Sequence, residues 1–285
     1  MTTDKIIALV DDSLYAPSVC DHAGWLAGRL NAPVTLLHVL GRREGARPQD
    51  LSGTIRLGAR SELLQELASL DEQRARLANA QGRALLEDAR GLTEAAGAAQ
   101  VDTRLEQGDL IDHATDRTTD GSVIVIGKRG LAADFAKAHL GSNLERVVRS
   151  ARVPVLVAAR AFRPMTSALV AFDGGGSAMK AVDHICTSPA FTGMRIEVAM
   201  ADPLPRNAQG QMDEAILRLR AAGLDAQAVT LTGSPETALP ERLESAGHDL
   251  LVMGAYGHSR IRRLIIGSVT TQMLREARRS VLLFR

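Results

Sequence analysis

The stretch Asp249–Arg285, DLLVMGAYGHSRIRRLIIGSVTTQMLREARRSVLLFR, sets the reading of the whole chain. Leu250–Val252 with Met253 is a short unbroken apolar run, the pattern of a strand buried on both faces of a parallel sheet. The run stops at Gly254, and Gly257 follows. A basic stretch then leads to Gly267 and Ser268, at the start of an amphipathic helix carrying Val269, Met273 and Leu274. Val281–Phe284 is one more apolar strand. Glycines allow positive φ and a close approach of backbone to ligand. The free N–H groups and the dipole of the helix start favour an anion in the same crevice. Ser268 can donate its hydroxyl to a phosphate oxygen. The same residues would also serve as an ordinary turn and a helix cap, so the motif alone leaves both readings open.

Working outward, the pattern occurs twice. VIVIGKRG…GSNLERVV…VPVLV, from Val123 to Val157, matches LLVMGAYG…GSVTTQML…SVLLF, from Leu250 to Phe284. Ile6–Val10 is a buried strand ending in Asp11, and Ala168–Phe172 is another ending in Asp173; an Asp-His pair follows each aspartate at the same distance, at 21–22 and 183–184. Further strands are expected at Val34–Leu40, Val101–Leu105, Ile196–Ala201 and Ala228–Thr232. Helices are expected through Ala23 to Leu30, with Ser13 or Ser18 as its cap, and over Asp109–Thr119. This is an internal duplication of an α/β unit rather than a short-period solenoid. The expected architecture is two tandem doubly wound five-stranded parallel sheets with helices on both faces. The first domain is expected at 1–160, with a helical insertion at about 42–97, and the second at 165–285. The only plausible linker is Ala161–Thr166 with Pro164.

Within the insertion, Leu63, Leu67, Leu70, Leu77 and Ala84 recur at helical spacing, with Glu72 and Arg76 as an i,i+4 pair. Gly82 and Gly91 are candidate bends. The segment is expected to cover the first sheet; the rival reading is an arm that binds a partner.

Composition narrows the classes. The chain has 285 residues, a net charge of +1 and an aromatic fraction of 3%, so its core is built from Ala, Val, Leu and Ile. A near-neutral balance gives no global electrostatic case for nucleic acid or anionic membrane. Its two cysteines, Cys20 and Cys186, have no metal-like spacing. The polar start and the lack of any apolar run near 18 residues lead us to expect a cytoplasmic protein with free thiols. The histidines show no pair at ligand spacing, so no metal centre is expected. His38 reads as a core or strand-end residue, and shared packing explains His22 and His184. Neither a P-loop nor a G-x-G-x-x-G after a first strand occurs. No nucleophile elbow is present. No general base or nucleophile stands well placed, so catalytic residues are not assigned and any hydrolysis is expected to be slow.

In doubly wound sheets, ligands bind beyond the carboxyl ends of the strands where the strand order reverses. The residues there are Asp11, Val39 and the Gly127 loop in the first half, and Asp173, Met200 and the Gly254 loop in the second. On these residues the chain resembles a tandem universal stress protein. That family's signature is Gly, two residues, Gly, nine residues, Gly and then Ser or Thr. Gly254, Gly257, Gly267 and Ser268 match it.

The resemblance implies adenine nucleotide binding: ATP, ADP or AMP, with Mg2+ as a further expectation. It assigns the glycines and Ser268 to phosphates and ribose, Asp173 to adenine and ribose, and the Met200 backbone to the adenine edge. In the first half, Gly127, Gly130, Gly141 and Ser142 depart from the pattern, because ten residues separate Gly130 from Gly141. Lys128 and Arg129 stand between the first glycines, and Ser142 with Glu145 spells a capping box. The first half is therefore expected to hold the weaker or vestigial site. Arg260, Arg262 and Arg263 face either phosphates or solvent.

The implied role is a stress-response regulator or adaptor with a protein partner. Its fifth strands are expected to make a pseudo-dimer within the chain, and a homodimer is a further expectation. The rivals are a scaffold that binds no nucleotide and an enzyme that acts on an adenylated substrate.

Overall fold

The computed structural model describes residues 5–41, 57–130, 141–203, 207–255 and 267–285 (of helix residues 57–64, the backbone alone). The first half runs β1 (Ile6–Leu9), α1 (Ala16–Leu30), β2 (Val34–Gly41), α2 (Leu57–Ala95), β3 (Val101–Gly108), α3 (Leu110–Thr115), β4 (Val123–Gly127), α4 (Ser142–Ser150) and β5 (Val155–Ala158). The second runs β6 (Ser167–Ala171), α5 (Gly176–Thr187), a 3-10 turn at Pro189–Phe191, β7 (Arg195–Ala201), α6 (Ala208–Ala221), β8 (Asp225–Leu231), α7 (Pro235–Ser245), β9 (Leu250–Gly254), α8 (Ser268–Glu276) and β10 (Ser280–Phe284).

The two expected five-stranded parallel sheets are present, and they are fused into one. The strand order is β3-β2-β1-β4-β5-β10-β9-β6-β7-β8, and only the central β5–β10 pair is antiparallel. Val281 faces Val157, Leu282 faces Leu156 and Leu283 faces Val155. Val155 and Val281 stand at matching places beside Ile124 of β4 and Leu251 of β9. Exchanging the halves therefore maps this register onto itself, with the pseudo-twofold axis at the Leu156–Leu282 pair. The physical reason is edge protection. β5 and, beyond Ser280, β10 are wholly buried and apolar, so each needs cover, whereas the outer strands β3 and β8 expose Asp102, Arg104, Asp225 and Gln227.

Apolar side chains fill both faces, and each layer runs through both halves. One lies under α1, α2, α5 and α6, with Ile6, Leu36, Leu156, Ile196 and Leu282 among its residues. The other lies under α3, α4, α7 and α8, with Ile7, Ile124, Leu144, Leu251 and Leu283. The segment between β5 and β6 is tied down. Phe162 packs edge-on against His22 at 4.9 Å, and one oxygen of Asp249 accepts hydrogen bonds from the N–H and hydroxyl groups of Thr166 and Ser167.

Three local expectations change. Helix α1 starts at Ala16, with Pro17 in its first turn, so Ser18 is a helical residue and not a cap; its buried hydroxyl donates to the Ala159 carbonyl at 2.6 Å. Ser13 does not cap either, since its Oγ meets only the N–H of Tyr15 at 3.3 Å. Helix α2 is unbroken at Gly82 and Gly91. A Cβ on Gly82 would stand 2.7 Å from Leu105, so the glycine lets α2 lie close against the strands. The C-terminal half of α2 covers the sheet, through Leu86 and Ala89. Residues 65–77 are all exposed, including Leu67 at 44%, Leu70 at 43% and Leu77 at 64%. The Glu72–Arg76 pair forms on this exposed part, at 2.6 Å.

Candidate functional site

The strand order reverses between β1 and β4 and again between β6 and β9, the places where doubly wound sheets take ligands beyond the carboxyl ends of the strands. In the first half this place is a cleft of about 1150 Å³. Asp11, Val39, Gly127, Gly130 and Ser142 all line it, and so do His38, Asp109, Arg129 and Arg146.

The cradle is closely packed. A Cβ on Gly130 would stand 2.7 Å from Oδ2 of Asp11, and one on Gly141 would stand 3.4 Å from the Gly130 nitrogen. The ten-residue spacing therefore does not separate the two glycines. The bulge expected between them falls on 131–140, outside the described residues. Neither Gly127, Gly130 nor Gly141 has positive φ, so closeness and not an unusual backbone requires glycine at Gly130. Gly141 is the cap of α4 and Ser142 its first residue, with no side-chain cap bond, so the S-x-x-E box does not form. A capping box needs its serine one position earlier. Ser142 instead sits beside the uncapped N–H groups at the mouth of the cleft. Lys128 turns away from the cradle: it is buried, and its Nζ donates to the carbonyl of Ala277 at the end of α8. Of the basic pair between the first two glycines, only Arg129 lines the cleft.

The far wall was not anticipated from the sequence. Asp109 caps α3 by accepting from the N–H of Ile111 at 2.8 Å, and its other oxygen takes Arg146 of α4 at 2.5 Å. The Arg146 guanidinium, with the helix-start N–H, holds the Asp109 carboxyl below the usual range. Gly108 before it has φ of +131°, which only glycine adopts freely, and this turns the chain from β3 into α3. Nδ1 of His38 lies 2.8 Å from the Val10 carbonyl, so that nitrogen carries the proton. A glycine followed by an aspartate after a strand was the available signal for this wall.

In the second half, Gly254 ends β9 and Gly267 caps α8 with Ser268 as its first residue, as at Gly127, Gly141 and Ser142. Gly257, Arg260, Arg262 and Arg263 lie outside the described residues. A Cβ on Gly254 would meet Ser177 at 2.9 Å. Asp173 accepts from the N–H of Gly175 at 2.8 Å, and Gln211 of α6 lies over Gly174, whose φ is +73°. Met200 is not at the counterpart of Val39. Leu9 pairs with Leu37 and Ala171 with Ala199, so two residues further on Asp11 and Asp173 correspond, and so do Val39 and Ala201. Met200 corresponds to His38 and is buried in the layer under α6.

The family model described as "Universal stress protein family" matches this chain twice, over residues 2–159 and 182–285. The chain belongs to the universal stress protein family. It is 34% identical to the universal stress protein Slr1230 of Synechocystis sp. over 285 residues, 99% of each chain. The crystal structure of a universal stress protein from Archaeoglobus fulgidus superposes with a TM-score of 0.68 at 18% identity, covering 99% of this chain and 96% of that one. The protein PA1789 from Pseudomonas aeruginosa gives 0.59 at 17% identity, covering 99% and 92%. At such identities the superpositions speak for the fold alone. Among the described residues no helix is long and apolar enough to cross a membrane.

Two other polar clusters in this universal stress protein are largely internal. His22 bonds Ser280 Oγ through Nε2 and the Ser18 carbonyl through Nδ1, both at 2.6 Å. This serine–histidine contact is sealed from solvent and serves the junction of the halves. His184, the counterpart of His22, packs on Phe284 and Phe191. Glu197 of β7 is 1% exposed and is held by both Nε and Nη2 of Arg242, each at 2.6 Å, so its carboxyl sits below the usual range. Burial pushes the Cys20 thiol up to about 11, which leaves it unreactive.

Proposed function

We propose that the chain binds an adenine nucleotide in the first-half cleft and acts as a stress-response regulator or adaptor. The observation that carries this reading is the convergence of Asp11, Gly127, Gly130 and the uncapped start of α4 on one cleft at the switch point. The residues fit such a ligand. A carboxylate suits ribose hydroxyls, and the backbone beside Val39 suits an adenine edge. The glycines bring amide N–H groups against phosphate, helped by the Ser142 hydroxyl, the α4 dipole and the charge of Arg129. A Cβ at Gly130 or Gly141 would fill that cradle.

Both sequence arguments for a weaker first site, spacing and capping, lose their geometric basis in this cradle. The family spacing of Gly254, Gly257, Gly267 and Ser268 supports a second site, with Asp173 and, by register, Ala201 in place of Met200. One observation favours a structural role for that second half instead: Asp173 and Gln211 are engaged with the Gly174–Gly175 turn.

ATP titration of two variants tests the assignment. Gly141→Val with Ser142→Ala is expected to remove the first site and leave any second one. Gly267→Val with Ser268→Ala is expected to leave the first intact. Full ATP affinity and stoichiometry in the Gly141→Val/Ser142→Ala variant would sink the proposal.

A further inference from the structure

Where the two halves meet, a pocket of about 230 Å³ is lined by Tyr15, Lys128, Arg129, Arg160, Arg275 and Arg278, with Glu276 as its sole acid. A second, of about 290 Å³, shares Arg160 and Arg278 and adds Arg163 and Arg279, with Glu244 and Asp249. The chain as a whole has a net charge of only +1, so this is a local concentration of cations and not a general basicity. Each of these acids already has a partner, and for Glu244 it is Arg279 of the same pocket. Glu276 accepts from Gln272, Glu244 lies 3.9 Å from Arg279, and Asp249 takes the hydrogen bonds of Thr166 and Ser167. Among the described residues, Arg160, Arg163, Arg275 and Arg278 make no ion pair.

Lys128 gives the second observation. It is 7% exposed and, among the described residues, has no carboxylate partner and bonds one acceptor, the Ala277 carbonyl. An ammonium has three donors, and a buried charge is ordinarily paired. Burial first, and the like charge of Arg129 second, bring its pKa down to about 8. Capping the carboxyl end of α8 explains the one bond that Lys128 makes, and Arg275 in the last turn also suits that helix dipole. Neither accounts for Arg160 and Arg278, which come from the ends of β5 and α8 and meet across the seam.

We propose that this junction binds a compact multivalent oxyanion of phosphate chemistry, at a site separate from the nucleotide cleft. The pocket is smaller than the roughly 300–1,000 Å³ of sites for drug-sized molecules, which suits a short phosphate chain rather than a whole nucleotide. Guanidinium forks from Arg160 and Arg278 can each take two phosphate oxygens, and Lys128 supplies a fixed point charge beneath them. The reading stands whether or not the cleft holds a nucleotide, since only Arg129 is shared.

The test is calorimetric titration of the full chain with inorganic tripolyphosphate at constant ionic strength. One site is expected. Arg160→Ser with Arg278→Ser is expected to weaken it by at least about tenfold, the loss expected from removing one or more charge-assisted hydrogen bonds, with an unchanged melting temperature. Gly141→Val with Ser142→Ala, which blocks the cleft, is expected to leave it intact. Unchanged tripolyphosphate binding in the arginine variant overturns the proposal. So does its loss in the cleft variant, which would assign the anion to the phosphate end of the cleft.

Discussion

Acidification should weaken the seam between the halves through His22, and the size of the effect follows from its surroundings. The Ser18 carbonyl can only accept, so Nδ1 carries the proton and Nε2 accepts from the Ser280 hydroxyl. Ser280 Oγ in turn accepts the N–H of Ala159 at 3.1 Å. Every group is satisfied while the ring is neutral, and burial brings its pKa from 6.5 to about 4. A base with a depressed folded pKa binds fewer protons folded than unfolded between these values. Its contribution is therefore fully present above pH 6.5 and is lost as pH falls toward 4. Linkage puts the loss at about 2 kcal/mol by pH 5 and about 3 kcal/mol below pH 4. Urea unfolding at pH 7.5 and pH 5, for the unaltered chain and for His22→Gln, isolates this group, because other titrations cancel in the difference. The unaltered chain should lose about 2 kcal/mol more than the variant. Equal losses in the two proteins would refute the reasoning.

Three further outcomes are expected. Gly130→Ala places a Cβ 2.7 Å from the Asp11 carboxylate and should lower ATP affinity about tenfold or more by calorimetry, the loss of one charge-assisted hydrogen bond, without changing the melting temperature. Arg242→Met takes from the buried Glu197 its two guanidinium bonds, leaving Gln227 at 3.2 Å and His248 at 3.5 Å, and should cost about 3 kcal/mol in urea unfolding, whereas Glu197→Met with Arg242→Met together should cost less than the single change. Leu282→Ala at the seam should cost about 2–5 kcal/mol and move the Trp25 fluorescence transition, in the other half, together with the far-UV signal.

Much of the fold was legible because each half repeats strong local signals. The apolar runs around Ile124 and Leu251 are buried on both faces, and nothing but a covered parallel strand satisfies such a run. The aspartates and glycines at strand ends were readable for the same reason, since a turn out of a buried strand restricts which residues can follow. Side-chain direction was not readable. Lys128 stands beside the cradle in sequence yet reaches the other half, because the seam offers it the open carbonyl at the end of α8. By register Met200 matches His38 and Ala201 matches Val39, and in a strand of period two such a one-residue step turns a side chain to the opposite face. Helix α2 shows the same limit, since its leucine stripe signals a helix but not which turns find a surface to cover.

The sequence by itself determined the duplicated α/β unit, its strands and the glycines that end β4 and β9, because burial and turn chemistry act within a few residues. Only the tertiary structure decided that the expected contact of the fifth strands is a hydrogen-bonded ladder joining both halves in one sheet, that Gly130 and Gly141 stay together despite their spacing, and that the arginines of both halves gather at the seam. Each of these depends on contacts between segments more than ten residues apart, and the direction a side chain takes across such a distance is set by packing that no local pattern encodes.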